Sequence, residues 1–101
     1  MRIMLACALG MSTGMLMERM RESAKKQGKE YTIWAVDVSS VSRNDGKFDV
    51  LLLGPQVTYL AEEFKEKYEP EVPVAVIRPV DYGRMNGAAV LEMAERMAGK
   101  R

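Results

Sequence analysis

Histidine is absent from this chain of 101 residues, and cysteine occurs once. Without imidazole there is no Ser/His or Cys/His catalysis, no histidine ligand for zinc, and no phosphohistidine carried on this chain. A lone cysteine closes no internal disulfide, which sets aside a disulfide-stapled secreted fold and points to a reducing, cytoplasmic setting. Charge of one sign is lacking too: 15 basic and 14 acidic residues leave a net +1. Neither nucleic acid nor an anionic membrane surface is therefore an expected partner. The early apolar run at positions 3–9, behind Arg2, is too short for a transmembrane span and marginal as a signal-peptide core, so export and membrane insertion are not expected.

What is present is ordinary for a soluble globular protein, with 48% hydrophobic and 29% charged residues, and the length suits one domain over residues 1–101. Short apolar runs alternate with longer amphipathic ones. Residues 1–6 read as a buried strand, 7–12 as a loop, and 13–27 as a helix that Gly28 stops, with Leu16, Met20 and Ala24 on one face. Residues 31–36 form a second strand, and 37–47 are polar with one helical turn near 39–41. Residues 48–53 form a third strand, whose unbroken Val50-Leu51-Leu52-Leu53 suits burial on both faces. A helix over 57–68, a strand over 74–77, a loop over 78–86 and a helix over 87–98 complete the chain.

This alternation predicts a doubly wound α/β domain, a four-stranded parallel sheet of order 2-1-3-4 with helices on both faces. Ligands in such sheets bind outside the carboxyl ends of the strands at the topological switch, here between strands 1 and 3. The loops there are the one containing Cys7 and the one containing Gly54-Pro55-Gln56. Cysteine ordinarily just packs. At a strand end before a glycine-containing loop and a helix N-terminus, it becomes a candidate nucleophile. Ala8, Leu9, Gly10, Met11, Ser12, Thr13 and Gly14 include no proline, so each offers a backbone N–H. Those amides at the positive end of a helix dipole make an anion site that would favour a thiolate and hold phosphoryl oxygens. Gly10 and Gly14 would allow a tight turn and a close approach to the ligand.

Two well-known chemistries use such a loop, and a third reading is non-catalytic. A low-molecular-weight phosphatase needs C-x5-R, but Thr13 stands at the arginine position; Asp81 is its one imaginable general acid. A redox enzyme would want further cysteines. A non-catalytic regulatory domain would use Cys7 only for packing. The segments LACALGMST, DVLLLGPQVTYL and DYGRMNG together resemble enzyme IIB of the lactose/cellobiose (chitobiose) family of the bacterial phosphoenolpyruvate-dependent sugar phosphotransferase system, across essentially the whole chain.

The resemblance implies that Cys7 accepts a phosphoryl group from a histidine of enzyme IIA. Cys7 would then pass it to a sugar held by the membrane permease, enzyme IIC, with no cofactor or metal. It also implies a cytoplasmic protein that visits the membrane only through that permease. A carrier must not hydrolyse its phosphoryl group, and the missing arginine agrees with that. Asn86 stands where the family often has aspartate. Gln56 and Tyr82 are supporting candidates beside Cys7, with helix-start capping and simple packing as their alternatives. Met11, Met15 and Met17 offer a soft docking surface or plain core. Lys25, Lys26 and Lys29 read as a solvated helix end.

Overall fold

The computed structural model describes residues 1–8 and 11–99. Among these, four strands form one parallel sheet in the order β2-β1-β3-β4: β1 Arg2–Cys7, β2 Thr32–Asp37, β3 Val50–Leu53 and β4 Val74–Val76. The expected doubly wound arrangement is the observed one. Strand β1 is central, and Ile3, Met4, Leu5 and Ala6 are all fully buried. Successive side chains of a strand point to opposite faces, so each face gets its own core. Ile3, Leu5, Val50 and Leu52 pack with Leu16, Met20, Val90, Leu91 and Ala94 beneath α1 (Met11–Lys26) and α4 (Gly87–Met97). Met4, Ala6, Leu51 and Leu53 pack on the other side with Val41, Phe48 and, from α2 (Ala61–Tyr68), Phe64 and Tyr68. Cys7 continues the alternation of Ile3 and Leu5, which turns it toward the α1 face.

Element boundaries differ from expectation at several points, the larger shifts each for a local reason. Helix α1 begins at Met11, two residues before the expected start, so Met11 and Ser12 belong to its first turn rather than to the loop. Its end follows the sequence signal closely. Gly28 takes φ +70°, its N–H bonds Lys25 O, and the N–H of Lys29 reaches Ala24 O, a Schellman closure. Strand β3 starts at Val50, because Asp49 turns to receive the Arg2 backbone N–H at 2.7 Å and the Arg2 guanidinium at 2.9 Å. The stretch Val38–Asn44 is a longer 3-10 segment than one turn, with Asp37 capping Ser39 N. The helix expected from residue 57 begins at Pro55 as a 3-10 segment, Pro55–Leu60, and becomes α-helical only at Ala61.

The expected loop at 78–86 instead contains a short helix, α3, Pro79–Gly83, with proline at its first turn and Tyr82 buried. Asn86 is the N-cap of α4, its side chain accepting the Ala89 N–H at 3.1 Å. Aspartate at this position would make the same bond, so the departure noted in the sequence is neutral for the cap. Lys29 is not a solvated helix end: its ammonium pairs with Glu95 of α4.

Candidate functional site

The site forms at the carboxyl edge of the sheet, where β1 ends. Cys7 closes β1 in register with Asp37 of β2, and the Gly54 N–H bonds Ala6 O at 2.9 Å just past β3. Three buried groups follow one another in space. The Thr13 hydroxyl donates to Cys7 Sγ at 2.6 Å, and Thr13 Oγ1 lies 3.4 Å from Tyr82 Oη. Cys7 is 4% exposed, Thr13 0% and Tyr82 8%. Thr13 is thus a polar side chain wholly inside the protein, with its one hydroxyl spent on sulfur. Ala8, the next residue along the chain, is exposed, so Cys7 lies directly below the molecular surface.

Gly54 is the residue sequence reasoning passed over, having read it only as a strand stop. A Cβ built there would stand 3.0 Å from Cys7 Cβ and 2.6 Å from Gln56 Oε1. The bare Cα is what lets β3 end this close to Cys7, and it brings the Gln56 amide to the same spot. The available signal was the glycine itself at a strand terminus. Gln56 does not cap the segment that follows: Gly54 is its N-cap, with no side-chain bond.

The structure therefore brings Cys7, Thr13, Tyr82, Gly54 and Gln56 together. Gly14 lies in the first turn of α1, where an added Cβ would meet no protein atom within 4 Å among the described residues. Leu9 and Gly10 lie outside the described residues, as do the side chains of Met11 and Ser12. Asp81 sits on α3 with its carboxylate 3.9 Å from the Arg78 guanidinium. Met15, Tyr59 and Val80 are the exposed large hydrophobics among the described residues. They sit on α1, the 3-10 segment after Gly54 and α3, the segments that also carry Thr13, Gln56 and Tyr82. Met17 packs against the core instead. A groove between α1 and the start of α4, lined by Arg19, Glu22, Lys26, Arg84 and Asn86, shares no residue with this cluster.

Fold and site together define a doubly wound α/β domain that carries one cysteine at the strand-to-helix junction of its switch point. The family model described as "PTS system, Lactose/Cellobiose specific IIB subunit" matches residues 2–93. The chain is 45% identical to the PTS system galactose-specific EIIB component of Lactococcus lactis subsp. cremoris, over 94% of each chain. It is also 45% identical to the cellobiose-specific EIIB component of Lactococcus lactis subsp. lactis, again over 94% of each. The solution structure of the cellobiose-specific phosphotransferase IIB component from Borrelia burgdorferi superposes with a TM-score of 0.81 at 37% identity, covering 98% of this chain and 92% of that one. The chain belongs to the lactose/cellobiose-specific IIB family of the sugar phosphotransferase system. Its work is part of phosphoryl transfer in sugar uptake. No helix among the described residues is long and apolar enough to cross a membrane.

Proposed function

We propose that Cys7 is the residue that carries the phosphoryl group. The observation that supports this best is the buried Thr13 hydroxyl donating to Cys7 Sγ at 2.6 Å. A donor locked onto sulfur strengthens as sulfur becomes an anion, and the same bond satisfies a hydroxyl whose burial would otherwise be costly. The first turn of α1, Met11–Gly14, adds backbone N–H groups that a helix leaves without internal acceptors. Ala8, Leu9 and Gly10 complete the stretch proposed as the phosphoryl cradle, with Gln56 and Tyr82 as supports.

In the first step the Cys7 thiolate attacks the phosphorus of a phosphohistidine on enzyme IIA. The S–P bond forms, the P–N bond breaks, and the imidazole leaves. In the second step a sugar hydroxyl at the permease, enzyme IIC, attacks that phosphorus. The O–P bond forms, the thiolate is regenerated, and the hydroxyl proton passes to a base on the partner. Neither step calls on a metal or organic cofactor. Both partners reach the same face in turn, so docking is transient, and exposed Met15, Tyr59 and Val80, on the segments that carry Thr13, Gln56 and Tyr82, offer apolar contact. The protein works as one domain on the cytoplasmic side, touching the membrane only through the permease. The sugar is of the cellobiose, lactose or chitobiose type, its choice resting largely with the permease.

The test is labelling with radioactive phosphoenolpyruvate, the general phosphotransferase components and IIA. The expected result is one label per chain, released by iodine as an S–P bond is, and none on Cys7→Ser with an unchanged thermal midpoint. Label persisting on Cys7→Ser, or no label on the native chain, overturns the proposal. Rapid Cys7-dependent hydrolysis of para-nitrophenyl phosphate would make the protein a phosphatase instead.

A further inference from the structure

The hydrogen count at Thr13 decides something the distances alone leave open. A threonine hydroxyl has one hydrogen to give and two lone pairs to receive. Its hydrogen is directed at Cys7 Sγ, at 2.6 Å. Once Cys7 is a thiolate it has no hydrogen to give, so Thr13 must donate to sulfur and can act toward Tyr82 Oη, 3.4 Å away, only as acceptor, which makes the phenol the donor. The three groups form one directed chain, Tyr82 O–H to Thr13 O–H to Cys7 Sγ. Such chains are cooperative, since a hydroxyl that accepts a hydrogen bond becomes a better donor.

Burial makes this direction matter. Thr13 is fully buried and Tyr82 nearly so, which limits the competition of bulk solvent for either role. Were the phenol absent, the Thr13 hydroxyl would lose the partner that holds its oxygen side, and would be freer to rotate off sulfur. Tyr82 reaches this position from a different part of the chain, 69 residues beyond Thr13, on the short helix α3. Proline at the first turn and the bond from Tyr82 N to Arg78 O at 3.0 Å hold that helix in place.

We infer that Tyr82 is a positioning residue for the reaction at Cys7, acting through the Thr13 hydroxyl rather than on the phosphoryl group. The inference rests on the reading of Cys7 as phosphoryl carrier. Its consequence is that α3, which belongs to neither β1 nor α1, governs the reactivity of the sulfur. Because Tyr82 acts through Thr13, its removal should act on rate and not on donor affinity.

The experiment compares the native chain, Tyr82→Phe, Thr13→Val, the double variant and Thr13→Ser, each held below its own unfolding transition. Two rates are read: single-turnover phosphorylation from phosphorylated IIA, and alkylation of Cys7 by iodoacetamide at neutral pH. Tyr82→Phe is expected to slow both about two- to tenfold, the worth of one neutral hydrogen bond, with an unchanged half-saturating IIA concentration. Thr13→Val should slow both on the order of tenfold or more, and Thr13→Ser should restore most of the loss. The double variant should match Thr13→Val alone, because Tyr82 then has nothing to act through.

If Tyr82→Phe leaves both rates unchanged, or slows the Thr13→Val background as much as the native one, the inference is wrong and Tyr82 only packs. Alkylation uses no phosphoryl donor. The coupling of Tyr82 to sulfur is therefore judged even if Cys7→Ser keeps its label and the carrier reading fails.

Discussion

Gly54 shows at the scale of a single residue how closely the Cys7 environment is packed. Its backbone, at φ −63° and ψ 150°, suits alanine as well as glycine, so replacement brings no backbone strain. The added methyl would instead press on Cys7 Cβ at 3.0 Å and on Gln56 Oε1 at 2.6 Å. The glutamine amide is the end of a flexible, exposed side chain and can swing away, while Cys7 Cβ belongs to the central strand and cannot. Gly54→Ala is therefore expected to cost less than about 1.5 kcal/mol of stability, yet slow phosphoryl transfer on the order of tenfold through a displaced sulfur. Thermal melts set against single-turnover labelling check the separation; a large fall in melting temperature with an unaltered rate would contradict it. Cys7 itself was legible in the sequence, because an apolar strand ending in cysteine, a glycine-containing loop and a helix start are all local. Its crowding by Gly54 was not, since that contact follows from how β1 and β3 lie side by side.

At the scale of elements, α1 and α4 meet at very close range. A Cβ at Gly87, the first residue of α4, would stand 2.4 Å from the Arg19 carbonyl carbon and 2.5 Å from Met20 N. These are backbone atoms in the middle of α1, and nothing there can rotate aside. Gly87→Ala should push α4 off α1 and cost about 1–3 kcal/mol, with the melting temperature falling about 4–8 °C for each kcal/mol. Circular-dichroism melts test this, and a change under 2 °C would refute it. Helix interiors were the readable part: Leu16, Met20 and Ala24 are buried as their spacing required, and of the stripes Leu60, Phe64, Tyr68 and Val90, Ala94, Met97 that the same spacing predicts, all are buried but Leu60 and Met97, which are partly so. Helix starts were less readable. Helix α3 has only five residues, too few for a periodicity, and proline with glycine reads equally as a loop. The segment Pro55–Leu60 opens as 3-10 because Pro55 sets the first turn and Val57, at φ −116°, breaks the α geometry.

For the whole molecule, the Glu95 carboxylate of α4 ties the chain between α1 and β2 to the last helix. It accepts from Tyr31 Oη at 2.6 Å and pairs with Lys29. Burial alone would raise the Glu95 carboxyl, but the bonds from Lys29 and Tyr31 outweigh it and hold it below its ordinary range. The hydrogen bond to Glu95, then burial, then the carboxylate charge push the Tyr31 phenol up from 10 to about 12. The signs follow from linkage. Stability from Glu95 is present above the unfolded carboxyl value and lost as pH falls through the lower folded one. Stability from Tyr31 is intact below pH 10 and is lost as pH rises from there toward about 12. Tyr31→Phe is expected to lower the melting temperature at neutral pH and to flatten its alkaline decline. Melts across an alkaline pH series check this, and a decline as steep as that of the native chain would exclude the Tyr31–Glu95 bond as its source.

Strand count, order and two-sided burial were determined by the sequence alone, because apolar runs of four to six residues between amphipathic stretches permit little besides a covered parallel sheet. So was the candidacy of Cys7, since the switch point of such a sheet follows from strand order. Only the tertiary structure decided which residues meet the sulfur. Thr13 comes from the first turn of a helix, Gly54 and Gln56 from the end of another strand, and Tyr82 from 69 positions further on than Thr13. Periodicity says which face a side chain takes, but not how deep it lies or which distant partner stands opposite. Those depend on strand register and helix packing, which no local stretch of chain contains.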